Sequence, residues 1–290
     1  MTDWKNPAVV SAEYFTFVKL CHAIWGVLIW EFVVNIGFEY SVFTGKRKFR
    51  SSFLLYLAAR WCPLFCVITI LVGVDPINRI NCQAYVVFAF LFANISLASA
   101  SALIVLRIAA IWGLNKIAIS IASAAWLANT GSLIHSLAVL HGTWSGGICK
   151  VTNSSETKTN ILVTFITDLV LLALMLIGLL RWENARQRGG VWWLLYTQGL
   201  AWMITVVLAG APVTVFVLLN LNDPMNLMFQ VPALITMTIG ASRVYRGLSD
   251  YVHSEASVHM SGGLPRYARR AYVRNGSSGT PRKPGENDDV

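Results

Sequence analysis

Gly189–Ser242, GGVWWLLYTQGLAWMITVVLAGAPVTVFVLLNLNDPMNLMFQVPALITMTIGAS, holds two long apolar runs without one Lys or Arg, and Asp223 between them is its only acid. Each run supplies the roughly 20 residues that a helix needs to cross the hydrocarbon layer of a bilayer. Helix is the form required there, because lipid offers no partner to a free backbone N–H or C=O. The stretch therefore reads as a pair of membrane spans, at about 198–219 and 226–245.

Toward the N-terminus five more runs fit the same template, at about 20–43, 53–73, 84–106, 117–139 and 160–180. The first carries Glu31 and Glu39, is long, and lacks a small-residue cleavage site, so it reads as an uncleaved span rather than a signal peptide. Only 13% of the 290 residues are charged, against roughly 25% in an ordinary soluble domain. The expected fold is all-α: a polytopic transmembrane bundle of seven helices within 20–248. Residues 1–19 form an outer N-terminal segment in this reading. Residues 249–290, rich in Ser, Gly, Pro and Arg, are expected to be a disordered basic tail in the cytosol.

Orientation follows from the basic residues. Lys46, Arg47, Lys48 and Arg50, then Arg107 and Lys116, then Arg181, Arg186 and Arg188, and then the tail all fall on one side. They outnumber Lys5, Lys19, Arg79, Lys150 and Lys158 on the other, which predicts N-out and C-in. On the outer side Asn153-Ser154-Ser155 is an N-glycosylation acceptor. The same side holds Cys82 and Cys149, and an oxidising compartment predicts that they pair. The formal charge of +9 comes in clusters between spans and without any nucleic-acid-binding signature, so nucleic acid is excluded as a partner.

Ionisable groups inside hydrocarbon need a partner or water. Glu31, Asn35 and Glu39 recur every four residues along span one, and Arg60 in span two comes level with them if the two spans form an antiparallel hairpin. An intramembrane ion pair of Arg60 with Glu31 or Glu39 is expected. Asp168 lies about two turns into span five with no basic residue at its depth. It is the leading candidate for a ligand contact, together with Asn94, Asn129 and His135. Small polar residues of spans three and four are expected to serve helix packing.

The sequence lacks HExxH and GxSxG motifs, and span seven has no Lys to hold retinal. No catalytic residue, metal or cofactor is assigned.

Trp30-Glu31-Phe32, Phe38-Glu39-Tyr40, Gly45-Lys46-Arg47-Lys48, Arg107-Ile108-Ala109-Ala110-Ile111-Trp112, Leu219–Asn226 and Gly240-Ala241-Ser242-Arg243 together resemble a group of seven-helix membrane proteins of mushroom-forming fungi. The resemblance covers roughly residues 15–250 and implies the seven-span plan without a chemistry. The general plan is also similar to G-protein-coupled receptors. Leu106-Arg107-Ile108 stands where those have acid–Arg–Tyr, Gly210-Ala211-Pro212 replaces the span-six motif, and NPxxY is absent from span seven.

The function expected is that of a receptor-like protein, most naturally of the plasma membrane. It would sense a small ligand from outside and present Arg107, Arg181, Arg186 and Arg188 to a cytosolic signalling protein. A small-solute or lipid transporter is the alternative. A membrane-embedded metal-dependent hydrolase, using His135 and His141 with Asp168, stands third.

Overall fold

A computed structural model describes residues 6–45, 50–74, 81–145, 148–152, 154–181, 191–219, 225 and 228–260. The chain divides into two compact units, Met1–Arg246 and Gly247–Val290. The described elements are α1 (Pro7–Val34), α2 (Ile36–Phe43), α3 (Ser52–Val74), α4 (Cys82–Ile111), α5 (Lys116–Val139), β1 (His141–Ser145), β2 (Ile148–Thr152), α6 (Ser154–Arg181), α7 (Val191–Leu219) and α8 (Gln230–Met260).

Asparagine side chains set three of the helix starts. Asn6 accepts from Ala8 N, Asn81 from Ala84 N and Asn115 from Ile117 N, each satisfying a donor that the first turn leaves open. The end of α4 is equally local. Gly113 sits at φ +57°, its N–H reaches the Ala110 carbonyl, and the Leu114 N–H reaches that of Ala109. That is the hydrogen-bond pattern of a helix stopped by a left-handed glycine. At the other end of the chain Pro232 falls in the first turn of α8, where no helical N–H is lost. Pro63 and Pro212, by contrast, lie inside α3 and α7.

The packing is the reverse of a water-soluble domain. Trp30 is 71% exposed, Leu208 69% and Ile134 65%, whereas Ser96, Ser99, Ser101, Thr167 and Thr238 are buried. Large apolar side chains facing outward over whole helices need lipid around them. Six helices are long and apolar enough to cross a membrane, at Ala8–Val34, Ser52–Gly73, Cys82–Ile111, Lys116–Val139, Lys158–Arg181 and Gly199–Leu219. The helix expected as the seventh span, α8, is not among them. Arg243 and Arg246 close off its apolar stretch after Ala241.

Helix α4 is the hub, packing on α3, α5 and α6. Its run Ser99-Ala100-Ser101-Ala102 is buried and small, which lets neighbouring backbones approach. Trp126 of α5 donates to the Ala98 carbonyl at 2.9 Å, and Trp112 donates to the Leu174 carbonyl of α6 at 3.0 Å. Gly178 permits the second contact, because a Cβ there would lie 2.6 Å from Trp112 Nε1. Gly178→Val is therefore expected to lower stability by about 1–3 kcal/mol through overpacking. Gly131→Ala, in α5 with open space around it, is expected to be neutral or slightly stabilising. Thermal unfolding of the two variants in detergent checks the contrast, and equal losses would defeat it.

The described elements are helices as expected, apart from an antiparallel hairpin of β1 and β2 with Ser145 opposite Ile148. Two boundaries differ from expectation. The first helix begins at Pro7 rather than near residue 20. Residues 249–260, expected to be disordered, continue the helix α8. Asn153, Arg186, Arg188 and residues 261–290 lie outside the described residues.

Candidate functional site

One face each of several helices converges on a cavity of about 270 Å³. Asn160, Ile161, Thr164, Phe165 and Asp168 line it from α6, a spacing that puts all five on one helical stripe. Helix α4 contributes a matching stripe that runs from Tyr85 to Leu97, and α8 one from Gln230 to Met237. Tyr14 and Phe17 of α1, Cys66 and Ile70 of α3, and Val213 and Thr214 of α7 also line it.

The cavity is covered at the end where the hairpin sits. Cys82, the first residue of α4, is disulfide-bonded to Cys149 of β2, and Cys149 itself lines the cavity. Gln83 adds two hydrogen bonds, donating to the Leu140 carbonyl at 3.0 Å and accepting from Gly142 N at 2.7 Å. Gly142 allows the strand this close, since a Cβ there would be 2.8 Å from the Cys82 carbonyl oxygen. The expected pairing of Cys82 with Cys149 is present.

Asp168 marks the inner end. It lies eight residues, or about 12 Å at 1.5 Å per residue, along α6 from Asn160. Its side chain is buried, and Ser101 Oγ donates to Asp168 Oδ1 over a long 3.4 Å. Beyond it Ile104, Ile108, Leu171, Leu172, Met175 and Ala241 form a buried apolar floor. Among the described residues that line the cavity there is no Lys, Arg or His.

The other residues expected at a ligand site separate into three cases. Asn94 lines the cavity and is held by donating to the Leu133 carbonyl at 3.0 Å. Asn129 stands one layer behind, its Oδ1 accepting from Thr164 at 2.9 Å while its Nδ2 is buried without a hydrogen-bond partner among the described residues. His135 is exposed on α5 and takes no part in the cavity wall. No group of three His, Cys, Asp or Glu that could hold a metal ion occurs among the described residues.

A second polar cluster lies at the opposite end of the helices. Arg60 Nε lies 2.5 Å from Glu39 Oε1, and Arg60 also donates to the Phe32 carbonyl at 2.6 Å and to Tyr56 Oη at 3.2 Å. Its guanidinium stands 4.8 Å from the centre of the Phe32 ring. Glu31 is bound elsewhere. Arg243 holds both its oxygens, at 2.6 and 3.2 Å, and Arg246 reaches Oε1 at 2.7 Å. Asn35, between the two acids, turns its amide back onto the Glu31 carbonyl at 2.8 Å, and the helix breaks there into α1 and α2. Of the two acids expected within reach of Arg60, Glu39 is the one it pairs with, and Glu31 is held by Arg243 and Arg246, which the sequence did not reveal.

The expected basic docking face is also redrawn. Arg107 is buried and donates to the Val244 carbonyl at 3.0 Å, so it is a helix-to-helix tie rather than a surface group. Arg181 is exposed and lies over the Trp112 ring, 5.8 Å from its centre. Free thiols among the described residues are Cys21, Cys62 and Cys66, and Cys66 borders the cavity. No protein-family model matches the chain, and no curated protein is similar to it at a significant level.

Proposed function

We propose that this protein is a non-enzymatic, receptor-like member of the seven-helix group that its sequence resembles, crossing the plasma membrane seven times. Its N-terminus and the hairpin face outward and its C-terminus lies in the cytosol. A small ligand enters from the hairpin side and reaches Asp168. The cavity ending at that buried acid is the observation that carries the reading. The apolar floor beyond Asp168 favours reception over passage, since a transporter needs a polar route onward. Arg181, with Arg186 and Arg188, supplies basic charge for a cytosolic signalling partner.

A small-molecule screen against the purified full chain, read by thermal stabilisation, tests the proposal. Ligands of the cavity are expected to raise the unfolding temperature of the wild type, and those that engage Asp168 to lose that effect in Asp168→Asn. Accumulation of a stabilising compound inside proteoliposomes would overturn the receptor reading in favour of transport. Orientation has its own check: a sugar on Asn153, removed by Asn153→Gln, must lie across the membrane from a protease-sensitive tail.

A further inference from the structure

Three acids are buried among the described residues: Glu31, Glu39 and Asp168. Two of them are bound to guanidinium groups, Glu31 to Arg243 and Arg246 and Glu39 to Arg60. In a low-dielectric interior an ionised carboxylate needs such a counter-charge. Among the described residues Asp168 has only the Ser101 hydroxyl, at 3.4 Å, and it is also the acid that lines the cavity. Of these three acids, the two that join helices are each met by arginine, and among the described residues the one that faces the open volume is met by none.

The remainder of the wall fits the same missing partner. Tyr14, Phe17, Tyr85, Phe90 and Phe165 line the cavity, so its surface is aromatic and apolar apart from a few neutral polar groups. Aromatic faces attract cations as well as apolar bodies. No cationic side chain among the described lining residues competes for Asp168. The volume of about 270 Å³ admits a small organic molecule but not a peptide or a lipid chain with its headgroup.

From this contrast we infer that the cavity binds a small amine with an apolar body, its ammonium on Asp168 and its body against the aromatic wall. The inference rests on the cavity's being a ligand site and adds the ligand's chemical class. An alkanol or aromatic alcohol of the same shape would fill the space but leave the carboxylate without its counter-charge.

The probes are 2-phenylethylamine and its uncharged isostere 2-phenylethanol, titrated into the full chain in lipid nanodiscs and read by thermal stabilisation. The amine is expected to bind the wild type more tightly than the alcohol. Its affinity should fall roughly ten- to a hundred-fold in Asp168→Asn, the range for losing a charge-assisted hydrogen bond, while that of the alcohol is unchanged. If Asp168→Asn does not fold, Ala93→Phe asks the same question, because it fills the cavity and keeps the acid; amine binding must then disappear. Equal binding of amine and alcohol, both abolished by Ala93→Phe, would overturn the amine assignment and leave the ligand cavity standing. Binding of neither probe, or amine binding untouched by both substitutions, would overturn the assignment together with the cavity as a ligand site.

Discussion

Arg60→Met is expected to destabilise the bundle by about 3–5 kcal/mol, the range for removing one partner of a buried ion pair. The cost arises less from the lost attraction than from what remains. Glu39 is 3% exposed, and its buried carboxylate would lose its direct partner, leaving nearby only Arg246 among the described arginines, which is already bound to Glu31. The double variant Arg60→Met with Glu39→Gln removes the stranded charge and is expected to recover most of the loss. Arg60→Lys should recover little. A lysine has no planar fork with which to serve Glu39, the Phe32 carbonyl and Tyr56 at once. Thermal unfolding of the three variants in detergent measures each difference. If the double variant were no more stable than Arg60→Met, the loss would belong to packing and not to charge.

The second large effect is expected from the cover of the cavity. Replacing Cys82 and Cys149 together by serine opens a loop of 67 residues, and cross-links of that kind contribute typically about 2–4 kcal/mol. The lower half of that range applies here. Helices α4 and α5 keep their backbone bonds when the bundle loosens, so the unfolded reference is already restricted. The functional consequence is larger than the stability change. Without the bond, β2 loses its covalent tie to α4 and keeps its packing and, through β1, the contacts of Gln83, and Cys149 no longer fixes one edge of the cavity. Ligand dissociation should accelerate more than association, since the covering strand gates exit from a preformed space. Residence time measured on the wild type and the double serine variant decides the matter; an unchanged dissociation rate would remove the hairpin from any gating role.

The parts of this arrangement that were legible in the sequence are those set by position along an axis. Hydrophobic length located the helices, and compartment logic paired Cys82 with Cys149. Counting turns from the ends of spans one and two put Glu31 and Glu39 alike within reach of Arg60, without choosing between them. Position around an axis was not legible. His135 and Asn94 fall at comparable depth on the two helices, yet Asn94 faces the cavity and His135 faces outward. Arg107 was read as a surface group because it follows an apolar run, but it is turned inward onto α8. Glu31 found Arg243 and Arg246 because the first and last long helices pack together, a neighbour relation that no local pattern records. The hairpin did leave a signal. Gly146-Gly147 separates His141–Ser145 from Ile148–Thr152, a two-residue connection of the kind that favours tight strand reversals.

The break at Asn35 has a consequence for how the molecule is held together. The segment on either side of Asn35 holds α8 through Glu31 and α3 through Glu39, so the first helix is clasped to two others at once, one on each side of its break. The clasp is made of opposite charges that a surrounding oil cannot replace.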